Sequence, residues 1–510
     1  MKFQKLLLIL FAFFLINNAL GQEPESTSED LPALGIYPKV SYSNPSSLNF
    51  KSLKKKLPKP IVADKALLEM YYKAWENAFN EIEVPKAGSK LKYAYIKPVD
   101  SANLSMWHTE MSMHFWKYGT NAFDAGQAMD NFFDLQQMDG FIGRQIDTKL
   151  GSYISKDQRK ASSDPPLLAW AEWEWFKHTG DSIRAKRVTD PLSFQIEWLE
   201  LNKALPNEAN NSYFWATPAS AGISDIPRST VSQIDIASQM VINYKYAYNM
   251  IGLSNNSAFQ DSYKERMNQL KQIIGTQFYD PKRNVFADLN AKRKPETVAT
   301  INGYWTLLAE IPNEKQKTMM LRNLENQATW NTPTLFPATV KEPNSDKEIA
   351  SYGELNFMVI QGLKAIGKTT LANNFANKIL DNQLNSFKKT KKLYSKYNTY
   401  TNEPAKGSSD KTTLGSNLVA INFLIENYLG FEVEGNKQQL TWNLNRTDAH
   451  GIENLLVDNA IVTIKAKARK DVSDEVVVKG TTSAPIALYL KVGDRVFYKR
   501  FEKGNFTIKL

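Results

Sequence analysis

The chain has 510 residues, 42% apolar and 23% charged, a balance that excludes disordered and fibrous classes. It has no cysteine, which excludes disulfides, thiolate zinc sites, iron–sulfur clusters, a cysteine nucleophile and a lipid-modified N-terminal cysteine, and its four histidines leave little for a multi-histidine metal site. The net charge of +10 with 12% aromatics suits nucleic acid, an anionic membrane or an anionic sugar, but with no arginine block the plain reading is a solvated, lysine-rich surface.

In chain order, Lys2 and Lys5 precede an apolar run over 6–16, and Ala19 and Gly21 supply a small-x-small site. Residues 1–21 read as a signal peptide cleaved near Gly21, which places the mature protein in the periplasm or outside the cell. The run is short for a membrane span, and no other apolar stretch is long enough, so no integral membrane association is expected. Residues 22–60, rich in Pro, Ser, Glu and Lys, read as a linker or extended arm. Over 61–435 apolar residues recur at helical spacing and predict helices at 66–82, 105–118, 167–179, 234–251, 258–278, 297–309, 355–367 and 414–428. That density suits a large all-helical toroid. Residues 436–510 alternate apolar with polar and predict short strands at 438–444, 460–467, 475–479, 486–492, 495–501 and 506–510, a small β-sandwich module.

One motif misleads. Gly362 to Thr369 matches the phosphate-binding P-loop letter for letter, but the segment before it reads as helix. A P-loop needs a buried strand there, so that the following amides can cradle phosphate. The plain reading is a glycine-terminated helix followed by a new one.

Several segments, in order, carry a family resemblance: Trp107-His-Thr-Glu-Met, Gln137-Met-Asp-Gly-Phe-Ile-Gly-Arg144, Asp164-Pro-Pro-Leu-Leu-Ala-Trp170-Ala-Glu172-Trp, Tyr213-Phe-Trp215, Gly222-Ile-Ser-Asp225-Ile-Pro-Arg228 and Asn356-Phe-Met-Val-Ile-Gln-Gly-Leu. Over roughly 95–470 the chain resembles the mannosylglycerate-hydrolase-like, trehalase-related glycosidases. The resemblance implies a mainly α fold, an (α/α)6 toroid with a small C-terminal β-sandwich module. It also implies a departure at the active site. The family usually has Asp, its general acid, where this chain has His108, and Glu, its general base, where this chain has Ser395 before Lys396 and Tyr397. A third family carboxylate falls at Ser224, with Asp225 one position on.

Inverting glycoside hydrolysis needs one carboxylic acid and one carboxylate on opposite faces of the sugar. Serine cannot replace the base unaided, whereas histidine can act as acid or base in a different pH range. The candidate catalytic residues are therefore His108, Tyr397, Tyr394 and Glu110, each with a core or sugar-stacking role as its plainer reading. Candidate substrate-binding residues are Trp107, Arg144, Trp215, Asp225, Arg228, Lys396 and Glu172. Arginine's planar fork suits a carboxylate or sulfate, and tryptophan stacks on sugar faces. Glu110, Glu172, Glu174, Glu354 and Glu403 are the carboxylates open to a relocated role.

Three functions follow. The favoured one is elimination of water or sugar from an anionic, uronic-acid-containing oligosaccharide by His and Tyr. The alternative is an exo-glycosidase with relocated carboxylates, and the third a sugar-binding protein without turnover. No metal site, cofactor or nucleic-acid partner is expected, a calcium ion held by carboxylates and carbonyls leaving no motif to read. The sequence does not set the oligomeric state.

Overall fold

The computed structural model describes residues 33–35, 37–154, 166–204, 232–254, 257–340, 348–471 and 473–510. The predicted signal peptide and the start of the arm lie outside them.

Two layers of helix alternate along the chain. The outer layer is Lys65–Asn80, Gly126–Asp134, Ser182–Lys203, Ser257–Gln277, Glu314–Glu325 and Thr369–Thr390. The inner layer is Met106–Trp116, Leu168–Thr179, Ile234–Gly252, Trp305–Leu308 with the 3-10 turn Ile301–Tyr304 before it, Gly353–Ala365, and Leu414–Leu418 continued by a π-helical stretch, Val419–Tyr428. Each inner helix packs on the next, and the sixth packs on the first, closing the ring. This is the (α/α)6 toroid. Inner helices are buried almost all round because both faces are covered: in Met106–Trp116 every residue but Trp107 is buried. Outer helices keep one wet face, which is why four of them escape the apolar-spacing reading. Ser182–Lys203 hides further behind a proline at 191 and a high charge content.

The 362–369 motif sits between two helices. Gly362 lies inside the fifth inner helix against Leu307 and Leu308, and Gly367 takes φ +75° before Thr369–Thr390 begins. With no strand before it, there is no phosphate loop.

The C-terminal module is a β-sandwich of a five-stranded and a four-stranded sheet. Two strands outside 436–510 join it. Phe431–Glu434 is one edge of the four-stranded sheet, and Lys59–Ile61 pairs with His450–Val457 in the other. The sandwich meets the C-terminal ends of the inner helices, where Gly435 packs on the backbone of His178 so closely that only glycine fits. Residues 37–44 of the arm are bound to the barrel, with Tyr37 and Tyr42 donating to Asp130 and Asn44 exchanging hydrogen bonds with Gln127.

Candidate active site

Because outer and inner helices alternate, all inner helices run the same way, and their N-termini gather at one end of the ring. That end holds Trp107 and His108, Asp235, Trp305, Glu354 and the Gly415–Asn417 turn. The opposite end has a cavity of about 430 Å³. Its charges are spent on each other: Lys117 and Lys364 lie 3.2 and 2.9 Å from Glu426, and Glu174, held down to about 2 by Lys177 and Lys117 against its burial, faces the same lysines.

His108 occupies the third position of the first inner helix, whose first turn is capped by Ser105. Its imidazole is buried, and Nε2 lies 3.1 Å from Oε2 of Glu81, a carboxylate with a fully buried side chain. Glu81 closes the first outer helix, and its carbonyl accepts from Lys97 N–H, which fixes the backbone that carries it. Among the described residues, Nδ1 of His108 makes no hydrogen bond. A carboxylate on one ring nitrogen sets the tautomer and leaves the other to exchange a proton.

Glu354 starts the fifth inner helix. Burial pushes its carboxyl up to about 7, and the nearby charge of His108 acts in the opposite direction. Its carboxylate lies against Gly415, where any side chain would strike it, and Gly353 packs on the Gly415 backbone. Two glycines thus let two inner-helix N-termini meet and seat Glu354 between them. A carboxyl raised in this way gives stability that is fully present below its ordinary 4.5 and is lost as pH rises through about 7. Glu354→Gln is therefore expected to flatten that part of the stability curve. Melting temperatures of both proteins from pH 4 to 9 check this, and parallel curves would contradict it.

The other predicted residues divide. Arg144 accepts Met106 N–H at its carbonyl, which sets it beside the first inner helix. Trp107 meets Trp305 edge-on at 6.4 Å, and Trp305 meets Trp170 at 6.1 Å, an aromatic wall across the ring. Lys396 pairs in register with Tyr352, directly before Gly353 and Glu354. Glu110 is fully buried within the first inner helix.

Tyr397 departs from expectation. It is buried, its hydroxyl accepts from Tyr394 N–H and Ser416 Oγ, and burial pushes it up to about 12, the wrong direction for a proton-transfer tyrosine. Tyr394 packs edge-on against it at 6.2 Å, and its carbonyl accepts from Ser416 Oγ. Both rings brace the segment beneath Lys396. Glu172 also departs: Arg184 binds both of its oxygens, at 2.6 and 2.8 Å, between the inner and outer layers, so it does not line the mouth. Glu403 is on the surface with Lys389. Trp215, Asp225 and Arg228 lie outside the described residues. Sequence reasoning missed Glu81, which carries no motif. Among the described residues, no group of three or more His, Cys, Asp or Glu could hold a metal ion, and no helix is long and apolar enough to cross a membrane.

With this geometry in hand, comparison with known proteins gives the class. The trehalase family model matches residues 216–417, a span that takes in the third to fifth inner helices and ends in the sixth. A GH63 mannosylglycerate hydrolase from Thermus thermophilus, in a complex with glucose, shares the fold at a TM-score of 0.54 and 14% identity, over 69% of this chain and 99% of its own. The alpha-L-rhamnosidase from Dictyoglumus thermophilum does so at 0.61 and 11% identity, over 89% of this chain, which spans half of that enzyme. The chain thus has the (α/α)6 barrel fold of these carbohydrate enzymes, the fold that the trehalase-related resemblance implies. An uncharacterized protein of Borreliella burgdorferi is 26% identical over 437 residues, 81% of this chain and 90% of the relative.

Proposed function

We propose that the protein is an exported carbohydrate-active enzyme that eliminates water or a sugar from uronic-acid-containing oligosaccharides, with the mouth at the inner-helix N-termini as its active site. The observation that carries this is the His108–Glu81 pair, a buried carboxylate orienting an imidazole at the position where the family has an acidic residue. In the reaction, His108 takes the C5 proton, the C–H electrons form the C4–C5 double bond, and the C4–O bond breaks. Glu354, kept protonated toward neutral pH, gives its proton to the leaving oxygen. Arg144 and Lys396 supply positive charge to the sugar carboxylate as it takes on enolate character. Residues 1–21 serve as the export signal.

Glu354 also favours a second reading, glycoside hydrolysis. A carboxylic acid with a raised pKa is what protonates a glycosidic oxygen, and hydrolase and rhamnosidase structures share this fold. Mass spectrometry of uronic-acid oligosaccharides treated with the purified protein, alongside the absorbance of unsaturated uronate, separates the two. The expected product is an intact oligosaccharide lighter by one water, or a shorter chain with an unsaturated end. Shorter saturated products that have gained water would establish hydrolysis instead.

A further inference from the structure

We propose that the cavity of about 430 Å³ at the C-terminal end of the ring is a second ligand site, built for a small neutral saccharide and separate from the mouth. Its size falls in the range of small-molecule pockets, about 300–1,000 Å³. Every inner helix contributes to it, and strand Phe431–Glu434 of the sandwich adds Val433. Trp170, 2% exposed, lines it too. The Trp107–Trp305–Trp170 wall therefore stands between this cavity and the mouth, and the two are distinct sites.

Two polar side chains that line the cavity are left over. Tyr246 is 8% exposed, and among the described residues its hydroxyl makes no hydrogen bond. Burial, with Glu174 and Glu310 nearby, pushes the phenol up, so it stays a neutral O–H. The half-buried Gln361 carboxamide makes no hydrogen bond among these residues either. A buried polar group costs stability unless water or a ligand meets it. Around both runs a belt of ion pairs. Glu174 lies 3.4 Å from Lys177 and 3.8 Å from Lys117, Glu426 lies 3.2 Å from Lys117 and 2.9 Å from Lys364, and Lys245 holds Glu310 at 2.9 Å. Each ammonium keeps N–H groups, and each carboxylate lone pairs, beyond its own pair. Donors and acceptors therefore alternate around the cavity, and a sugar hydroxyl, which both donates and accepts, matches that alternation. The rings of Trp170 and Tyr246 offer the sugar's C–H face a surface.

Charge selects a neutral ligand. Four lysines and five glutamates line the cavity, and one of the glutamates, Glu434, is held at 2.8 Å by a further lysine, Lys437, so five of each sign meet there. A uronate would lie against the glutamates and an amine against the lysines, neither with a free counter-charge. An apolar ligand would take water from the ion pairs and return no hydrogen bond. The plainer account is a water-filled joint whose ion pairs fasten one end of the barrel. That account predicts no saccharide binding. A saccharide held there would touch inner helices and the sandwich strand together, and so stabilise the joint between the two.

The test is a saturation-transfer NMR titration of the full chain with glucose, mannose and maltose as neutral probes, and galacturonate and glucosamine as charged ones. Binding of at least one neutral probe is expected. Tyr246→Phe combined with Gln361→Leu removes the two leftover groups and nearly keeps their shape. It is expected to weaken that binding about tenfold, the loss of two hydrogen bonds, and to leave any binding of a charged probe as it was. Ala365→Phe fills space at the cavity wall without touching a charge and is expected to abolish the binding. The double variant reports even if Ala365→Phe unfolds. No transfer to any neutral probe, wild-type affinity in the double variant, or a charged probe weakened by that variant as much as the neutral one would each overturn the site. None of these outcomes depends on the reaction at the mouth.

Discussion

Arg184→Ala is expected to destabilise the protein by about 3–5 kcal/mol, the cost of stranding buried charges. The Arg184 side chain is 3% exposed, and all three of its nitrogens are engaged. Nε and Nη2 hold the two oxygens of Glu172 at 2.8 and 2.6 Å, and Nη1 holds Asp130 at 2.7 Å and Tyr42 at 3.2 Å. Asp130 in turn accepts from Tyr37 and Tyr42 at 2.6 and 2.5 Å. One guanidinium therefore joins the second inner helix, two outer helices and the N-terminal arm. Without it, Glu172 and Asp130 remain buried with only Arg187, 3.8 Å from Asp130, as a partial replacement. Lysine has one nitrogen for three ligands and recovers little. Urea unfolding measures the loss, and limited proteolysis of residues 37–44 measures release of the arm. Adding Glu172→Gln to Arg184→Ala is expected to recover part of the stability, because it removes one stranded charge. A loss under about 1 kcal/mol would mean that water reaches the cluster, as it does at exposed pairs.

Glu172 shows why the sequence yields the fold more readily than the site. Inner helices are legible because burial on both faces leaves a dense apolar record, as in Val419–Tyr428. The sandwich strands are legible by alternation. An outer helix such as Gly126–Asp134 shows one short apolar stripe, too little to stand out before packing is known. At the site, the resemblance marks His108 and the 395–397 segment as unusual positions, but chemistry depends on neighbours. Glu81 lies 27 residues upstream of His108, and only the closed ring brings the two together. Glu110, Glu172, Glu174, Glu354 and Glu403 look alike as letters. Burial against Gly415 raises Glu354, Arg184 claims Glu172, and lysines claim Glu174 and Glu403. Tyr397 is the same lesson inverted: a lysine neighbour in sequence suggests a lowered pKa, while its buried ring raises it.

His108→Ala is expected to lower kcat/KM about 10²–10⁴-fold, the range for loss of a positioned proton-transfer group. Part of any stability change belongs to Glu81, which would lose the partner 3.1 Å away and stay buried. The kinetic effect must therefore be read as a pH profile and a kcat-against-KM split, not as activity alone. Glu81→Gln separates the roles. It keeps the shape and leaves His108 in place, but offers an amide where the carboxylate fixed the ring. If Glu81 positions a working His108, kcat falls while KM holds, and the acidic limb of the profile, where the base becomes protonated, moves. If His108 is only a core residue, both variants change the melting temperature and leave kcat alone. His108→Asp places at 108 the acid that the trehalase-related resemblance implies there, yet it is expected to do worse than alanine. It places a second carboxylate beside buried Glu81, and two like charges at that spacing cannot both ionise without cost. Histidine at 108 and glutamate at 81 are thus expected to behave as a unit, with an acid at 108 tolerated only when Glu81 changes with it.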